Sequence, residues 1–311
     1  MRFAIVKCHG SGNDFPMIDA RELSLTEAQW AGVARALADR EGPVGGDGLL
    51  LLVPGDAQAA FGMVMRNSDG SEAETCLNGV RCVARAGFEA LGLDTATVKL
   101  KTSRAEARRD DDLAPGVYTV RETAGPAGLS TAAWPIHGAP ERLVEAVLPM
   151  LDPALRFTAV TMPNPHLVHF VEQVDEAELV RLGQLCEAAP DWLPNRANVS
   201  FVELRGDALF VRTFERGVGL TDSCGSAMAA STYAACLTGR IGWDRPTVVF
   251  NRGGLVRAFA GRDGMVTLSG NATYEWAGSV EVDLSSETAS DLVVDRRFPE
   301  EIAAWDAARR G

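Results

Sequence analysis

A chain of 311 residues is long enough for about two domains, and 46% apolar with 23% charged residues supports an ordinary globular core. Forty-two acidic residues against 30 basic ones leave a formal charge of −12, which disfavours phosphate backbones and anionic lipid, so neither nucleic acid nor a membrane is an expected partner. The segment Met1–Cys8 has no apolar signal region, and no run of about 18 apolar residues occurs, so a cytoplasmic protein is expected. Six cysteines without a C-x-x-C pair, and four histidines, suggest neither a disulfide framework nor a zinc site. Lys7, Lys99 and Lys101 lie in no context that suggests a pyridoxal cofactor, and no cofactor is expected.

In chain order, residues 2–8 read as a strand, the stretch Gly10–Asp14 as a turn, and Phe15–Ile18 as a second strand. Ser24–Ala38 reads as an amphipathic helix, with Ser24 as N-cap and Glu27 three residues on. Gly45–Gly48 is a turn, and Leu49–Val53 and Phe61–Arg66 are strands. A polar segment, Asn67–Thr75, leads into a helix that starts near Cys76 and ends before Gly92. Thr97–Thr102 and Gly116–Glu122 read as further strands, and the Gly-, Pro- and Ser-rich stretch Thr123–Pro140 as the domain boundary.

The second half replays this order. Phe157–Met162 is a strand, Pro163-Asn164-Pro165 a turn, Leu167–Val171 a strand and Asp175–Cys186 a helix. Strands follow at Val199–Leu204 and Ala208–Phe214, then a helix from near Cys224 to before Gly239, then strands at Thr247–Phe250 and Met265–Ser269. Asn13 and Asn164 are 151 positions apart, as are Asp47 and Asn198; Cys76 and Cys224 are 148 apart, as are Asn67 and Glu215. Four pairs in register, within matching element order, point to two duplicated halves facing each other across a cleft. The expected domains are 1–125, joined by a final strand around 276–284, and 126–275, followed by a polar extension, 285–311, with one helix near Pro299–Arg309.

Each half places a cysteine at the first turn of a helix, in Cys76-Leu77-Asn78-Gly79 and in Cys224-Gly225-Ser226. A helix start carries partial positive charge and free N–H groups, which favour thiolate and bind carboxylate. Two such helices facing one α-carbon form a two-base device. One thiolate removes the α-proton, the opposite thiol returns one, and the N–H groups stabilise the enediolate-like charge. A lone cysteine at a helix start is more often a small buried residue than a catalyst. Cys8, Cys82, Cys186 and Cys236 fit that description, whereas the symmetry of Cys76 and Cys224 favours catalysis. The asparagines Asn13, Asn67, Asn164 and Asn198 suit turns. Glu215-Arg216 would suit the ammonium and carboxylate of one ligand, and His166 could tune a thiol.

These residues carry a resemblance. The segments His9–Phe15, Asn67–Glu74 leading to Cys76, Asn78–Cys82, Asn164-Pro165-His166, Glu215-Arg216-Gly217, Cys224-Gly225-Ser226 and Gly45–Leu49 resemble diaminopimelate epimerases, over roughly residues 2 to 285. The resemblance implies an α/β fold of two pseudo-symmetric domains, each a barrel-like mixed sheet around a central helix, with the active site in the cleft between them. It implies conversion of LL- to meso-diaminopimelate, for lysine and peptidoglycan synthesis, without a cofactor, by a homodimer acting on a small amino acid. Cys76 and Cys224 would be the acid–base thiols, assisted by His166 and Glu215. Asn13, Asn67, Asn164, Asn198, Glu215 and Arg216 would bind substrate, and the backbone at Leu77, Asn78, Gly225 and Ser226 would cradle its carboxylate. Leu77 replaces the family's usual glycine, Leu220-Thr221 its Glu-Thr, Ala227 a glycine, and Gly48 a frequent glutamine. A related racemase of another amino acid, and a non-catalytic binding homologue, are the alternatives; retention of both cysteines argues against the latter.

Overall fold

The computed structural model describes residues 1–73, 76–132, 134–162 and 164–310. Glu74 and Thr75 of the first cysteine motif, and Pro163 of the Pro163-Asn164-Pro165 turn, lie outside the described residues. The chain divides into two compact units, Met1–Glu122 with Ser269–Gly311, and Thr123–Leu268.

The first unit opens with β1 (Arg2–Gly10), β2 (Asn13–Asp19), α1 (Glu27–Ala38), β3 (Gly48–Asp56) and β4 (Ala59–Asn67). It continues through α2 (Leu77–Leu91), β5 (Thr95–Lys99), β6 (Arg104–Arg109) and β7 (Thr119–Thr123). β2 and β3 pair in parallel, as do β4 and β5; the neighbours β1–β2, β3–β4, β5–β6 and β6–β7 are antiparallel. α2 packs against β1 through β6, so the mixed sheet curls around it. Its path is close: a Cβ on Gly87 would stand 2.5 Å from the Phe61 ring. The core around α2 includes Phe15, Leu50, Phe61, Met63, Val83 and Phe88. α1 lies on the other face, where Trp30, Val33 and Leu37 meet Ile18, Leu49, Leu51 and Val280.

The second unit comprises β8 (Ala146–Leu148), β9 (Asp152–Thr161), β10 (Pro165–Val171), α3 (Glu176–Glu187), β11 (Asn198–Arg205), β12 (Ala208–Glu215) and β13 (Gly219–Thr221). α4 (Gly225–Leu237), β14 (Pro246–Phe250), β15 (Leu255–Ala260) and β16 (Val266–Asn271) follow, the last running across the boundary into the first unit. The pairing repeats that of the first unit: β10–β11 and β12–β14 are parallel, β11–β12 and β14–β15 antiparallel. α4 packs against β9 to β12, β14 and β15. Every residue from Gly225 to Cys236 is buried, and the small side chains of this Ala-rich run let strands approach from all sides. α3 covers the opposite face with Leu179, Leu182 and Cys186.

Three sequence expectations are corrected. α1 is capped by Thr26, not Ser24: the Thr26 side chain accepts the Gln29 N–H at 3.2 Å, and Gln29 Oε1 accepts the Thr26 N–H at 2.8 Å. Both serine and threonine begin a capping-box pattern, but Leu25 and Trp30 join one apolar cluster, a hydrophobic staple that selects the later start. Accordingly Thr26→Ala should cost about 0.5–2 kcal/mol in urea unfolding, and Ser24→Ala, at an exposed position, under about 0.5 kcal/mol. Second, residues 285–311 are not a separate extension. β17 (Thr273–Asp283) pairs with β1 along its length and with β18 (Thr288–Arg297), and α5 (Pro299–Ala308) packs on β17, so backbone pairing ties them to the first unit. Third, β6, β8, β13, β15 and β18 were not foreseen. β6 buries only Ala105 and Ala107, too slight an alternation to read as a strand. Among the described residues no helix is long and apolar enough to cross a membrane.

Candidate active site

In the first unit, Cys76 is the N-cap of α2, half-buried, with extended backbone at φ −148° and ψ 100°. Its Sγ accepts the Gly79 N–H at 3.4 Å and stands 3.7 Å from Asn13 Oδ1. Asn13 Oδ1 also receives the Asn78 amide at 3.4 Å, while Asn13 Nδ2 donates to Asp47. The structure thus brings Asn13, Cys76 and Asn78 together. Asp47 orients the Asn13 amide so that its oxygen faces the sulfur. Asn78 is 3% exposed, and its own oxygen accepts Arg81 Nη2 at 2.6 Å. Leu77 opens the helix, half-buried. Asn67 ends β4 and closes its own turn, donating to Ser71 Oγ at 2.9 Å and accepting the Gly70 N–H at 2.9 Å.

In the second unit Cys224 caps α4 in the same extended conformation, at φ −130° and ψ 106°, and is buried. Ser226 Oγ stands 3.5 Å from its sulfur, and Gly225 and Ser226 form the buried first turn. Burial pushes the Cys224 thiol well above its ordinary range; the adjacent Glu215 carboxylate adds to this, and the Ser226 hydroxyl opposes it. Burial and the neighbouring carboxylate therefore work against the thiolate preference expected of a helix start. Glu215, at the end of β12, is hydrogen-bonded with Cys224, and burial raises its carboxyl as well.

His166 is buried at the start of β10, and desolvation, with Arg216 adding to it, lowers its imidazole to about 3. It is neutral, and its Nε2 lies 3.0 Å from Asn164 Oδ1. Asn198 begins β11 beside it, 1% exposed, with Nδ2 at 3.5 Å from the ring and Oδ1 accepting the Arg216 N–H at 2.8 Å. Arg216 Nη1 donates to the Asn195 carbonyl at 3.0 Å. Asn164, His166, Asn198 and Arg216 form one network, and Glu215 with Cys224 a second, linked to it through the adjacent positions 215 and 216. Of the departures from the family pattern, Leu220 is exposed on β13, and Ala227 is fully buried in the first turn of α4.

Reading the sequence missed three supports. Asp47 was placed in the repeat, opposite Asn198, but not in the site; that register was the available signal. Arg212, 2% exposed, donates to the Thr221 carbonyl at 2.7 Å and so fixes the approach to Cys224. Asn271 accepts the Ser11 N–H at 2.7 Å across 260 positions, a separation that no local pattern reveals.

A family model described as diaminopimelate epimerase matches residues 5–119 and 158–275, which include both cysteine motifs. The chain belongs to the diaminopimelate epimerase family. A diaminopimelate epimerase of Clostridium acetobutylicum is 35% identical over 286 residues, covering 90% of this chain and 86% of that protein. One from Listeria welshimeri is 36% identical, covering 95% and 94%. Among solved structures, a predicted epimerase from Pseudomonas aeruginosa aligns with TM-score 0.66 at 16% identity, over 90% of this chain and all of that one. A probable proline racemase from Agrobacterium radiobacter aligns with TM-score 0.61 at 16% identity, over 91% and 93%. At such identities the structural likenesses speak for the fold; the curated relatives speak for membership of the diaminopimelate epimerase family.

Proposed function

We propose that this chain epimerises LL-diaminopimelate to meso-diaminopimelate with Cys76 and Cys224 as its two acid–base groups. The observation that carries the reading is the paired placement of these cysteines as N-caps of the two central helices, in a member of the diaminopimelate epimerase family. Their unlike surroundings support distinct roles. Cys76, whose thiol donates to Asn13 Oδ1 and whose sulfur accepts the Gly79 N–H, takes the substrate α-proton once it is ionised to thiolate. Cys224, protonated beside Glu215, delivers its own proton to the opposite face of the carbanion. The electron pair left by the broken C–H bond spreads into the substrate carboxylate, held by the N–H groups at Leu77-Asn78 and Gly225-Ser226. Each turnover exchanges which sulfur bears the proton, and exchange with water restores the start.

Asn13, Asn67, Asn164, Asn198 and Arg216 bind the remaining polar groups of the substrate. Neutral His166 acts by orienting Asn164 rather than by charge. The acidic chain works in the cytoplasm as a homodimer, an assembly that rests on the family resemblance and that sedimentation equilibrium would test. A racemase of another amino acid is the second reading, favoured by Leu77 at the start of α2 and Leu220 on β13. Assays of α-deuterium uptake from D2O, without pyridoxal phosphate, across LL- and meso-diaminopimelate and single-headed amino acids separate the two. Uptake confined to the diaminopimelate isomers is expected. Uptake confined to a single-headed amino acid establishes the second reading, and a strict pyridoxal requirement removes both.

A further inference from the structure

The match to the family model ends at residue 275, and the segment beyond it is bonded to the groups that hold the Cys76 cluster. Two attachments are independent of each other. At the β17–β18 turn, the Glu287 carboxylate receives both Arg35 Nε, at 2.6 Å, and Arg35 Nη2. Arg35 Nη1 in turn donates to the Asp69 carbonyl at 3.1 Å, inside the turn closed by Asn67 and Ser71. The guanidinium lies hard against that turn: Gly70 has φ +87°, and a Cβ there would stand 2.3 Å from Arg35 Nη1.

The second attachment is through α5. Glu301 forms a two-oxygen pair with Arg85 of α2, at 2.5 and 2.8 Å, and accepts the Tyr274 N–H at 3.1 Å. Arg85 is buried, and stacks over the Tyr274 ring at 3.6 Å. Four residues on, Trp305 is 3% exposed with its ring 5.8 Å from that of His9. Asn271 Nδ2 donates to the His9 carbonyl at 3.2 Å, and Asn271 Oδ1 accepts the Ser11 N–H. Ser11 and Gly12 both have positive φ, at 51° and 81°, and lead directly to Asn13.

We propose that the C-terminal hairpin and helix position the Cys76 side of the reaction: Glu287 sets the Asn67 turn through Arg35, and Glu301 with Trp305 sets α2 and the turn that presents Asn13. This rests on the reading of Asn13, Asn67 and Cys76 as site residues. These are positioning residues, acting through others. The Arg35–Glu287 pair is part-exposed, a kind that adds little to folding stability. Its removal therefore loosens a turn rather than unfolding the chain.

The test uses the full chain with Glu287→Ala, Glu301→Gln and Trp305→Leu. It measures kcat and KM for LL-diaminopimelate, thermal unfolding, and the separate iodoacetamide labelling rates of Cys76 and Cys224 by peptide mass spectrometry. Glu287→Ala is expected to raise KM about 3- to 10-fold with kcat within about 2-fold, as loss of substrate positioning by a turn predicts. Glu301→Gln or Trp305→Leu is expected to change the Cys76 labelling rate by about 3-fold or more while Cys224 keeps its own. Unchanged KM and labelling in all three variants overturn the proposal, and so does an equal change at both cysteines, which marks general loosening. A Cys76→Ser control in the same assay separates the two readings. If that control turns over like the parent, the assignment of Cys76 fails; if it is inactive while the three variants match the parent, only the positioning role fails.

Discussion

Alanine at either Cys76 or Cys224 is expected to lower kcat by about 10²- to 10⁴-fold, the range that a general acid or base contributes. One face of the α-carbon would then have no proton carrier, so neither direction of epimerisation could be completed. The same samples should stay folded, because Cys76 is half-buried and the loss of one sulfur at either helix cap leaves α2 and α4 otherwise intact. Circular dichroism with steady-state turnover checks both points, and substantial activity in the double variant would sink the mechanism. Glu215→Gln adds a sign. The Glu215 charge raises the Cys224 thiol, so its removal lowers that thiol and enlarges the thiolate fraction at fixed pH. Alkylation of Cys224 should therefore become faster while turnover falls. A slower alkylation would show that the carboxyl acts on the sulfur in some other way.

Arg81→Leu should cost about 3–5 kcal/mol of stability, because it strands a buried charge. The Arg81 and Glu122 side chains are both fully buried, Arg81 Nη1 donates to Glu122 Oε1 at 2.7 Å, and Glu122 Oε2 is buried with no hydrogen-bond partner. Burial raises the Glu122 carboxyl to about 7 despite the pull of Arg81. A folded-state value above the unfolded 4.5 means that the native chain holds the proton more tightly. That contribution is complete below pH 4.5 and is lost as pH rises through about 7. Without Arg81 the carboxyl rises further, so the destabilisation should be larger at pH 8 than at pH 5. Urea unfolding at the two pH values measures it, and an equal loss at both would contradict the account. Arg81→Leu with Glu122→Leu should recover much of the loss, since a well-packed apolar pair replaces a buried ion pair at little cost. Activity should fall in the single variant as well, because Arg81 holds Asn78 and Ser11, the neighbours of Cys76 and Asn13.

The sequence alone determined the duplicated order of elements, the two central helices and the cysteine at the start of each. These rest on local signals: apolar periodicity, glycine at helix ends and polar turns in register. The parallel pairings β2–β3 and β10–β11 set Asp47 beside Asn13 and Asn198 beside His166, and the repeat register had already aligned those positions. Tertiary structure decided what local patterns leave open. It chose Thr26 over Ser24 as a cap, because only packing of Leu25 and Trp30 distinguishes two equivalent motifs. It drew residues 285–311 into the first unit, because backbone pairing to β1 by way of β17 depends on a partner some 270 positions away. It also set burial and a carboxylate against the thiolate preference expected of Cys224. A helix start by itself favours thiolate, but burial and a neighbouring carboxylate outweigh it, and both arise only when distant segments close around the sulfur.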